Sequence, residues 1–223
     1  MKAIVFDTET TGRVEPRITE VAYVGYNTTR EVEFNQRYNP EKPIELGAMA
    51  VTHICNEDLI DCPSYKEFKL PEGIEYLIGH NIDYDWEVID KPDVKRIDTL
   101  AISRHLFPDL DSHTQSAMLY YFYGVDARNM VKEAHSALCD VINCRLLLNK
   151  LIHKIALLGH SINDMEQLWE FSEKARIPTH LTFGKHKGKS IQEVWETDKG
   201  WVYWLLKQPE VDPYLRLALE VLK

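Results

Sequence analysis

The order in which hydrophobic periodicities follow one another constrains the fold of this chain most. Short apolar or alternating runs predict strands at Lys2–Phe6, Ile18–Tyr26, Glu31–Tyr38, Tyr76–Gly79 and Val94–Ile97. Helical spacing of apolar residues predicts helices at Thr99–Leu106, Ala117–Phe122 and Ser136–Leu158. Early strands followed by alternating strands and helices indicate an α/β or α+β domain with a mixed sheet.

Capping signals mark the starts of several predicted helices. Asp98 is the expected N-cap of the first helix, and Ser112 with Gln115 has the spacing of a capping box before the second. Ser161 or Asn163 is the expected cap of a further amphipathic helix that ends near residue 175.

The charge balance changes after Gly159. Residues 176–223 contain eight Lys or Arg and six Asp or Glu, a balance of +2, so that the remainder carries −11 and the whole chain −9. We therefore expect an α/β domain at residues 1–160, a linker helix at 161–175 and a small module at residues 176–223. A strand at His180–Phe183 would begin this module.

The composition is that of an ordinary globular protein, with 44% hydrophobic and 27% charged residues among 223. No apolar run is long enough to cross a bilayer, and the first one leads directly into Asp7, so a cytoplasmic protein is expected. The net charge of −9 argues against coating nucleic acid by bulk electrostatics. It does not exclude a nuclease, because a carboxylate active site is negative until metal binds.

Acidic residues follow the first predicted strand and recur in two later clusters. Asp7 and Glu9 lie two residues apart in an extended segment, so their side chains project from the same face. Alone they would fit a solvated acidic turn equally well, but Asp85 and Asp140 favour a metal site. Oxygen-only ligands suit Mg²⁺ or Mn²⁺, and two such ions can promote phosphodiester hydrolysis. His135, five residues before Asp140, could take the proton from the attacking water.

Three segments resemble the motifs of the DEDD 3′→5′ exonuclease superfamily, histidine subclass. In chain order they are Asp7-Thr8-Glu9-Thr10-Thr11-Gly12, His80-Asn81-x-x-Tyr84-Asp85 and His135-x-Ala137-x-x-Asp140. The resemblance implies a ribonuclease H-like α/β fold, a mixed five-stranded sheet flanked by helices. It also implies two divalent cations, Mg²⁺ or Mn²⁺, held by the four carboxylates Asp7, Glu9, Asp85 and Asp140, with His135 as general base.

The same resemblance implies contacts with the terminal nucleotide. The candidate residues are Thr10, Thr11, Gly12, Met49, His53 and Asn81. Gly12 would permit close approach of the backbone to the nucleotide. His80 and Asn81 could instead hold their loop through hydrogen bonds. Asp83 matches no motif position, and we expect it to be solvated.

Within the superfamily, the chain is most similar to the exonuclease X family, whose members degrade DNA. Pro43-Ile44 and Ala48–Val51 resemble the segment before its nucleotide-contacting loop, and Thr182–Lys189 resembles its small C-terminal module. Two positions depart from the superfamily pattern. Tyr84 replaces the usual Phe, and Thr52-His53 follows Val51 where a His is common, which leaves open which of the two contacts the nucleotide.

The basic turn of the C-terminal module is not a P-loop. Only three residues separate Gly184 from Gly188, whereas a P-loop requires four between its glycines. The turn is better interpreted as a contact with the DNA backbone through Lys185, Lys187 and Lys189. A solvated turn fits nearly as well.

Tryptophans in the same module allow two interpretations. Trp195, Trp201 and Trp204 could stack on bases. The helical spacing of Trp201, Trp204 and Leu205 favours burial in a small core instead.

We therefore expect a metal-dependent 3′→5′ exodeoxyribonuclease that releases 5′-mononucleotides and acts on DNA. An exoribonuclease of the same superfamily is one alternative, because the catalytic motifs do not reveal contacts near the 2′ position. A non-catalytic nucleic-acid-binding protein is another, although no metal carboxylate is missing. The preference for single or double strands and the oligomeric state stay open.

Overall fold

The computed structural model describes residues 2–29, 31–132 and 134–222. Within these residues, the strands are β1 (Ala3–Thr10), β2 (Ile18–Gly25), β3 (Glu33–Arg37), β4 (Tyr76–Gly79) and β5 (Lys95–Asp98). They form one sheet in the order β3–β2–β1–β4–β5. β2 is antiparallel to β1 and β3, and β4 is parallel to β1 and β5. The expected mixed five-stranded sheet is confirmed.

Helices flank this sheet and make up the C-terminal part of the chain. They are α1 (Leu46–Thr52), α2 (Ile82–Val88), α3 (Thr99–Leu106), α4 (Gln115–Tyr123), α5 (Ala127–Met130), α6 (Ala137–Leu157), α7 (Met165–Arg176), α8 (Ile191–Thr197), α9 (Lys199–Leu206) and α10 (Pro213–Glu220). None of the described helices is both long and apolar enough to span a bilayer.

The sheet is buried on both faces. Successive side chains of β1 point to opposite faces, and each set packs into a different core. Ala3 and Val5 pack into the large core that α3, α4, α6 and α7 form on one face. Ile4 and Phe6 pack into a second core on the other face, together with Ile82 of α2. A central strand buried on both faces fixes the direction of the polar residues at its carboxyl end.

Helix starts follow capping chemistry, with two differences from expectation. Asp98 caps α3 as predicted, and its carboxylate accepts two backbone N–H bonds of the first turn at 2.8 and 3.4 Å. The N-cap of α4 is Thr114 rather than Ser112, because the Thr114 hydroxyl accepts the N–H of Ala117. The N-cap of α7 is Asp164 rather than Ser161 or Asn163.

The expected linker at residues 161–175 needs correction. The helix exists as α7, but Leu168 and Ala175 are buried in the large core of the α/β domain. Because its apolar face packs against that core, α7 belongs to the domain and does not link two bodies.

The C-terminal module has its own apolar core, which includes Leu181, Val194 and Val202. The predicted strand at His180–Phe183 is wrong. Only one isolated bridge, between His180 and Ser190, forms there, and a 3-10 helix at Gly184–His186 follows. A four-residue run without a neighbouring strand cannot build a ladder of hydrogen bonds.

Candidate active site

Two carboxylates project from the central strand of the sheet. Asp7 and Glu9 lie on β1 on either side of Thr8, which is buried. β1 is flanked by β2 and β4, so the strand is held rigidly on both sides. The i, i+2 spacing brings the two side chains to one face, as the sequence predicted.

A third carboxylate comes from α2. Asp85 is buried, and its Oδ1 accepts the N–H of Thr8 at 2.9 Å and the Thr8 hydroxyl at 2.7 Å. Gly79 permits this approach of α2 to β1, because a Cβ there would lie 2.7 Å from the side chain of Ile82. The two hydrogen bonds hold the Asp85 carboxylate against β1.

The fourth carboxylate lies in the first turn of α6, with a histidine just before it. Asp140 accepts the backbone N–H of His135 at 2.9 Å and the side-chain amide of Gln115 at 3.1 Å. His135 is exposed and has a φ of 70°, a left-handed conformation that turns the chain into the helix. Candidate ligand atoms of Glu9, His135 and Asp140 lie within 4.8 Å of one another.

The pKa values of all four carboxylates are raised. Burial is the largest cause at each of the four, and it raises the pKa of Glu9 to about 9 and that of Asp85 to about 7. The pKa of Asp7 lies well above its ordinary range because of burial and the charges of Asp85 and Glu9. Burial also raises the pKa of Asp140. Cations bound here would relieve this repulsion.

A fifth acid lies beside the cluster, at a position that none of the three sequence motifs includes. Glu20 on β2 is opposite Glu9 in the strand register and is buried. Its carboxylate accepts the N–H of Ala137 at the start of α6 at 3.1 Å. Its charge contributes to the raised pKa values of Asp7 and Glu9. The available signal was the one charged residue in a strand that is otherwise apolar except for Thr19.

The residues that carry this arrangement fall within a stretch that matches a known family. A family model described as Exonuclease matches residues 4–148, which include all four carboxylates and His135. The chain belongs to this exonuclease family. A second model, Exodeoxyribonuclease X-like C-terminal, matches residues 181–209.

Relatives of this exonuclease cover most of its length. Exodeoxyribonuclease 10 of Escherichia coli K12 is 28% identical over 220 residues, which span 97% of this chain and 96% of the relative. The PolC-type DNA polymerase III of Bacillus cereus is 27% identical over 199 residues, covering 80% of this chain but 13% of the polymerase.

Solved structures share the fold of the exonuclease. Exonuclease X in complex with 5′ overhanging duplex DNA matches with a TM-score of 0.56 and 22% identity, over 76% of this chain and 99% of that one. Escherichia coli exonuclease I bound to a dT13 oligonucleotide matches with a TM-score of 0.55 and 17% identity, over 70% of this chain and 42% of that one.

The loop after β1 is held mainly by contacts within the exonuclease. Thr11 is fully buried, and its hydroxyl accepts the N–H of Arg17. Its side chain is therefore not exposed to a nucleotide, contrary to the expected contact. Gly12 has a φ of 136°, which favours glycine, and the carboxyl group of Glu45 occupies the space where a Cβ would lie. Thr10 shares a 2.7 Å hydrogen bond with the hydroxyl of Tyr84.

The remaining candidate substrate contacts differ in exposure. Met49 is half-buried against a small apolar cluster, and His53 is exposed at the end of α1 with a φ of 58°. Asn81 is exposed and lines the cleft that contains Asp7, His135 and Asp140.

His80 holds its loop, one of the two roles considered for it. Its ring nitrogens contact the Thr99 hydroxyl and the His113 carbonyl oxygen, both at 2.9 Å. Burial lowers the pKa of His80 to about 4, so the ring is neutral at physiological pH.

The three candidate lysines of the C-terminal module have different surroundings. Lys185 pairs with Asp198 at 2.7 Å, and Lys189 pairs with Glu193 at 2.8 Å. Lys187 lines the cleft of the carboxylates, and it forms no ion pair with any other residue that the structure describes.

Proposed function

We propose that this exonuclease is a 3′→5′ exodeoxyribonuclease that uses two divalent cations and a histidine base to release 5′-mononucleotides. One observation supports the proposal: four buried or half-buried carboxylates from β1, α2 and α6 lie near one another, so that the charges of the other three raise the pKa of Asp7. Within the described parts of the chain, no Lys or Arg forms an ion pair with any of them.

The donor set fits hard divalent cations. Asp7, Glu9, Asp85 and Asp140 would hold the two ions, Mg²⁺ or Mn²⁺, through carboxylate oxygens only. The raised pKa values support this assignment, because buried carboxylates without a counter-charge are costly to ionise. Two bound ions would activate a water molecule and stabilise the leaving oxygen of the phosphodiester.

His135 would act as general base. Its ring is at the exposed rim of the site, and its backbone is tied to Asp140 by a 2.9 Å hydrogen bond. A neutral imidazole at the rim can take a proton from the attacking water and return it to solvent.

Similarity over the whole chain favours DNA as the substrate. The relative that spans 97% of this chain is an exodeoxyribonuclease, and the solved structures that share its fold include complexes with DNA. We further propose that Lys187, together with Lys185 and Lys189 when their surface ion pairs open, contacts the DNA backbone. Surface ion pairs are weak enough to exchange for phosphate.

The decisive experiment is a time course on 5′-labelled single-stranded DNA with Mg²⁺, repeated with EDTA and with Asp140→Ala. A ladder that shortens from the 3′ end, and that is absent in both controls, is the expected result. Cleavage of matched RNA but not of DNA would assign the enzyme to the ribonucleases. No cleavage of either would contradict the proposal.

The base is tested separately with His135→Ala. We expect a loss of about 10²- to 10⁴-fold in rate, the usual contribution of a general base. The Mg²⁺ concentration for half-maximal activity should stay near that of the parent protein. Full activity of this variant would show that another group takes the proton.

A further inference from the structure

The C-terminal module exposes an aromatic surface formed by Phe183, Trp201 and Trp204. Phe183 is 44% exposed and Trp204 is 54% exposed, so the expected burial of Trp204 is wrong. Trp201 is half-buried between them, with its ring centroid 6.4 Å from each of the other two. Aliphatic side chains fill the core of the module and leave these rings at its surface.

The central ring of the aromatic surface is held in place. The His186 ring meets Trp201 edge to face at 4.9 Å and contacts the Asp198 carboxylate at 2.9 Å. Asp198 also accepts the backbone N–H of Trp201 at 3.1 Å. A fixed ring loses little conformational entropy when a planar ligand stacks on it.

Positive charge adjoins the aromatic surface. Lys185 is 61% exposed in its side chain and pairs only with Asp198 among the described residues. Lys187 is exposed two residues further along the same turn. Aromatic rings next to lysines form the combination that single-stranded nucleic acids bind, with bases on the rings and phosphates on the cations.

One ring of the aromatic surface, Phe183, lies in the cleft of the carboxylates. Phe183 and Lys187 line one cleft of about 1460 Å³ together with Asp7, His135 and Asp140. A strand whose 3′ end lies at the carboxylates can therefore extend along this cleft towards the module. A protein partner that bound only the apolar rings would not extend along the cleft to the carboxylates.

We propose that the aromatic surface stacks unpaired bases of the DNA strand, several nucleotides 5′ of the end being hydrolysed, with Lys187 against a phosphate. This inference rests on the proposed function. Stacking accepts any base but requires that the base be unpaired. The module thus gives the enzyme a preference for single-stranded DNA that is independent of sequence.

The test compares a long and a minimal substrate. The long substrate is a single-stranded dT20 oligonucleotide, and the minimal one is the p-nitrophenyl ester of thymidine 5′-monophosphate, which reaches only the carboxylates. For Trp204→Ala and Phe183→Ala, KM on dT20 should rise by about 10-fold, the range that one lost base–aromatic stack gives. The rate on the minimal substrate should not change.

Tyr121→Ala is the matched control, because Tyr121 is 53% exposed and packs against Phe107 in the α/β domain. It should leave KM on dT20 unchanged. On a blunt 20-base-pair duplex, Trp204→Ala and the parent protein should behave alike, because paired bases cannot stack on the rings.

The outcomes separate this inference from the proposed function. If the parent protein cleaves both substrates and Trp204→Ala leaves KM on dT20 unchanged, the stacking site is wrong and the exonuclease assignment stands. If the parent protein cleaves neither, the proposed function fails.

Trp204→Leu and Phe183→Leu keep the packing of the module and must reproduce the effect, with circular dichroism showing a folded chain. Quenching of tryptophan fluorescence by dT20 in EDTA must weaken in Phe183→Leu.

Discussion

Two acidic clusters lie at the same end of the sheet and differ in how their charge is compensated. The first, called here the metal-site cluster, consists of Asp7, Glu9, Asp85 and Asp140. The second, the arginine cluster, consists of Asp83, Asp98, Arg96 and Arg176. Asp83 and Asp85 belong to the same turn of α2, yet they lie in different clusters.

The arginine cluster neutralises itself. The Asp83 carboxylate forms ion pairs with Arg96 at 2.7 Å and with Arg176 at 2.8 Å. The expectation that Asp83 is solvated is therefore wrong. Arg176 is 2% exposed in its side chain and lies 3.6 Å from Asp98. The Asp98 carboxylate also accepts the N–H of Asn81 at 2.9 Å. The cluster therefore ties α7 to the loop between β4 and α2.

The two clusters differ in whether the protein itself supplies the neutralising cation. Buried acids are tolerated only with a counter-charge or a bound proton. The arginine cluster contains its counter-charge, whereas the metal-site cluster keeps its pKa values high. Only the metal-site cluster has uncompensated negative charge that divalent ions can neutralise.

The largest expected effect is on activity, from Asp7→Asn. The amide keeps the shape of the side chain but removes a carboxylate, and a bound metal contributes several kcal/mol to such a reaction. We expect the rate on single-stranded DNA to fall by roughly three orders of magnitude or more. In EDTA the melting temperature should stay the same or rise, since a repelled charge is lost. A marked drop in the melting temperature would contradict the conclusion that the charge of Asp7 is uncompensated in the absence of metal.

The arginine cluster should respond in the opposite way. Arg176→Met leaves Asp98 without an ion-pair partner and Asp83 with Arg96 alone. Breaking a buried ion pair costs about 3 kcal/mol or more in the free energy of unfolding. Urea unfolding measures this change. Arg104→Met is the control, because Arg104 is exposed and should cost less than about 0.5 kcal/mol. Equal effects of the two substitutions would show that the arginine cluster contributes little to stability.

Stability in the absence of metal should fall as pH rises. The folded state raises the pKa of Glu9 to about 9, from an ordinary value of 4.5, so between these values it binds more protons than the unfolded chain. His80, with its pKa lowered to about 4 from an ordinary value of 6.5, acts in the opposite direction, but only below pH 6.5. Burial also raises the pKa of the Cys144 thiol, which therefore stays neutral above its ordinary value of 9.0.

The window from pH 7 to 8.5 therefore isolates the metal-site cluster. We expect the melting temperature in EDTA to fall across this window, and the fall to shrink with Mg²⁺, because bound cations replace protons. Asp7→Asn should also reduce the fall. A melting temperature that is constant or rises with pH in EDTA would contradict the assignment of uncompensated charge to this cluster.

Local patterns were enough to predict much of the fold. The four carboxylates were named from short motifs, and their role as metal ligands stays a prediction. β4 occupies the predicted residues, and α3 begins after the predicted cap Asp98. Alternation and helical spacing are properties of neighbouring residues, so a sequence displays them directly. The common face of Asp7 and Glu9 was predicted in the same way, because side chains two residues apart in a strand point to the same side.

The missed features depend on residues far apart in the chain. Asp83 meets Arg176 across 93 positions, and the Glu20 carboxylate meets the N–H of Ala137 across 117. No local period relates such residues, because the tertiary fold brings them together. Trp204 was misjudged for a related reason: helical spacing identifies a face of α9, but the size of the module core decides which rings it can bury.

Glu20 provides the smallest and sharpest test, because it lies beside the metal-site cluster without belonging to it. Glu20→Gln removes a charge that contributes to the raised pKa values of Asp7 and Glu9. The amide oxygen can still accept the N–H of Ala137, so the start of α6 should keep its partner. The Mg²⁺ concentration for half-maximal activity should rise by about 3- to 10-fold, the effect of a nearby charge on a cation site, while the rate at saturating Mg²⁺ stays unchanged.

Two other results would change the interpretation of Glu20. A large loss of rate at saturating Mg²⁺ would make Glu20 a direct participant in metal binding. An unchanged Mg²⁺ requirement would mean that Arg37, 3.7 Å from the Glu20 carboxylate, already neutralises it. In that case Glu20 resembles the acids of the arginine cluster, and compensation by arginine extends to the edge of the metal site itself.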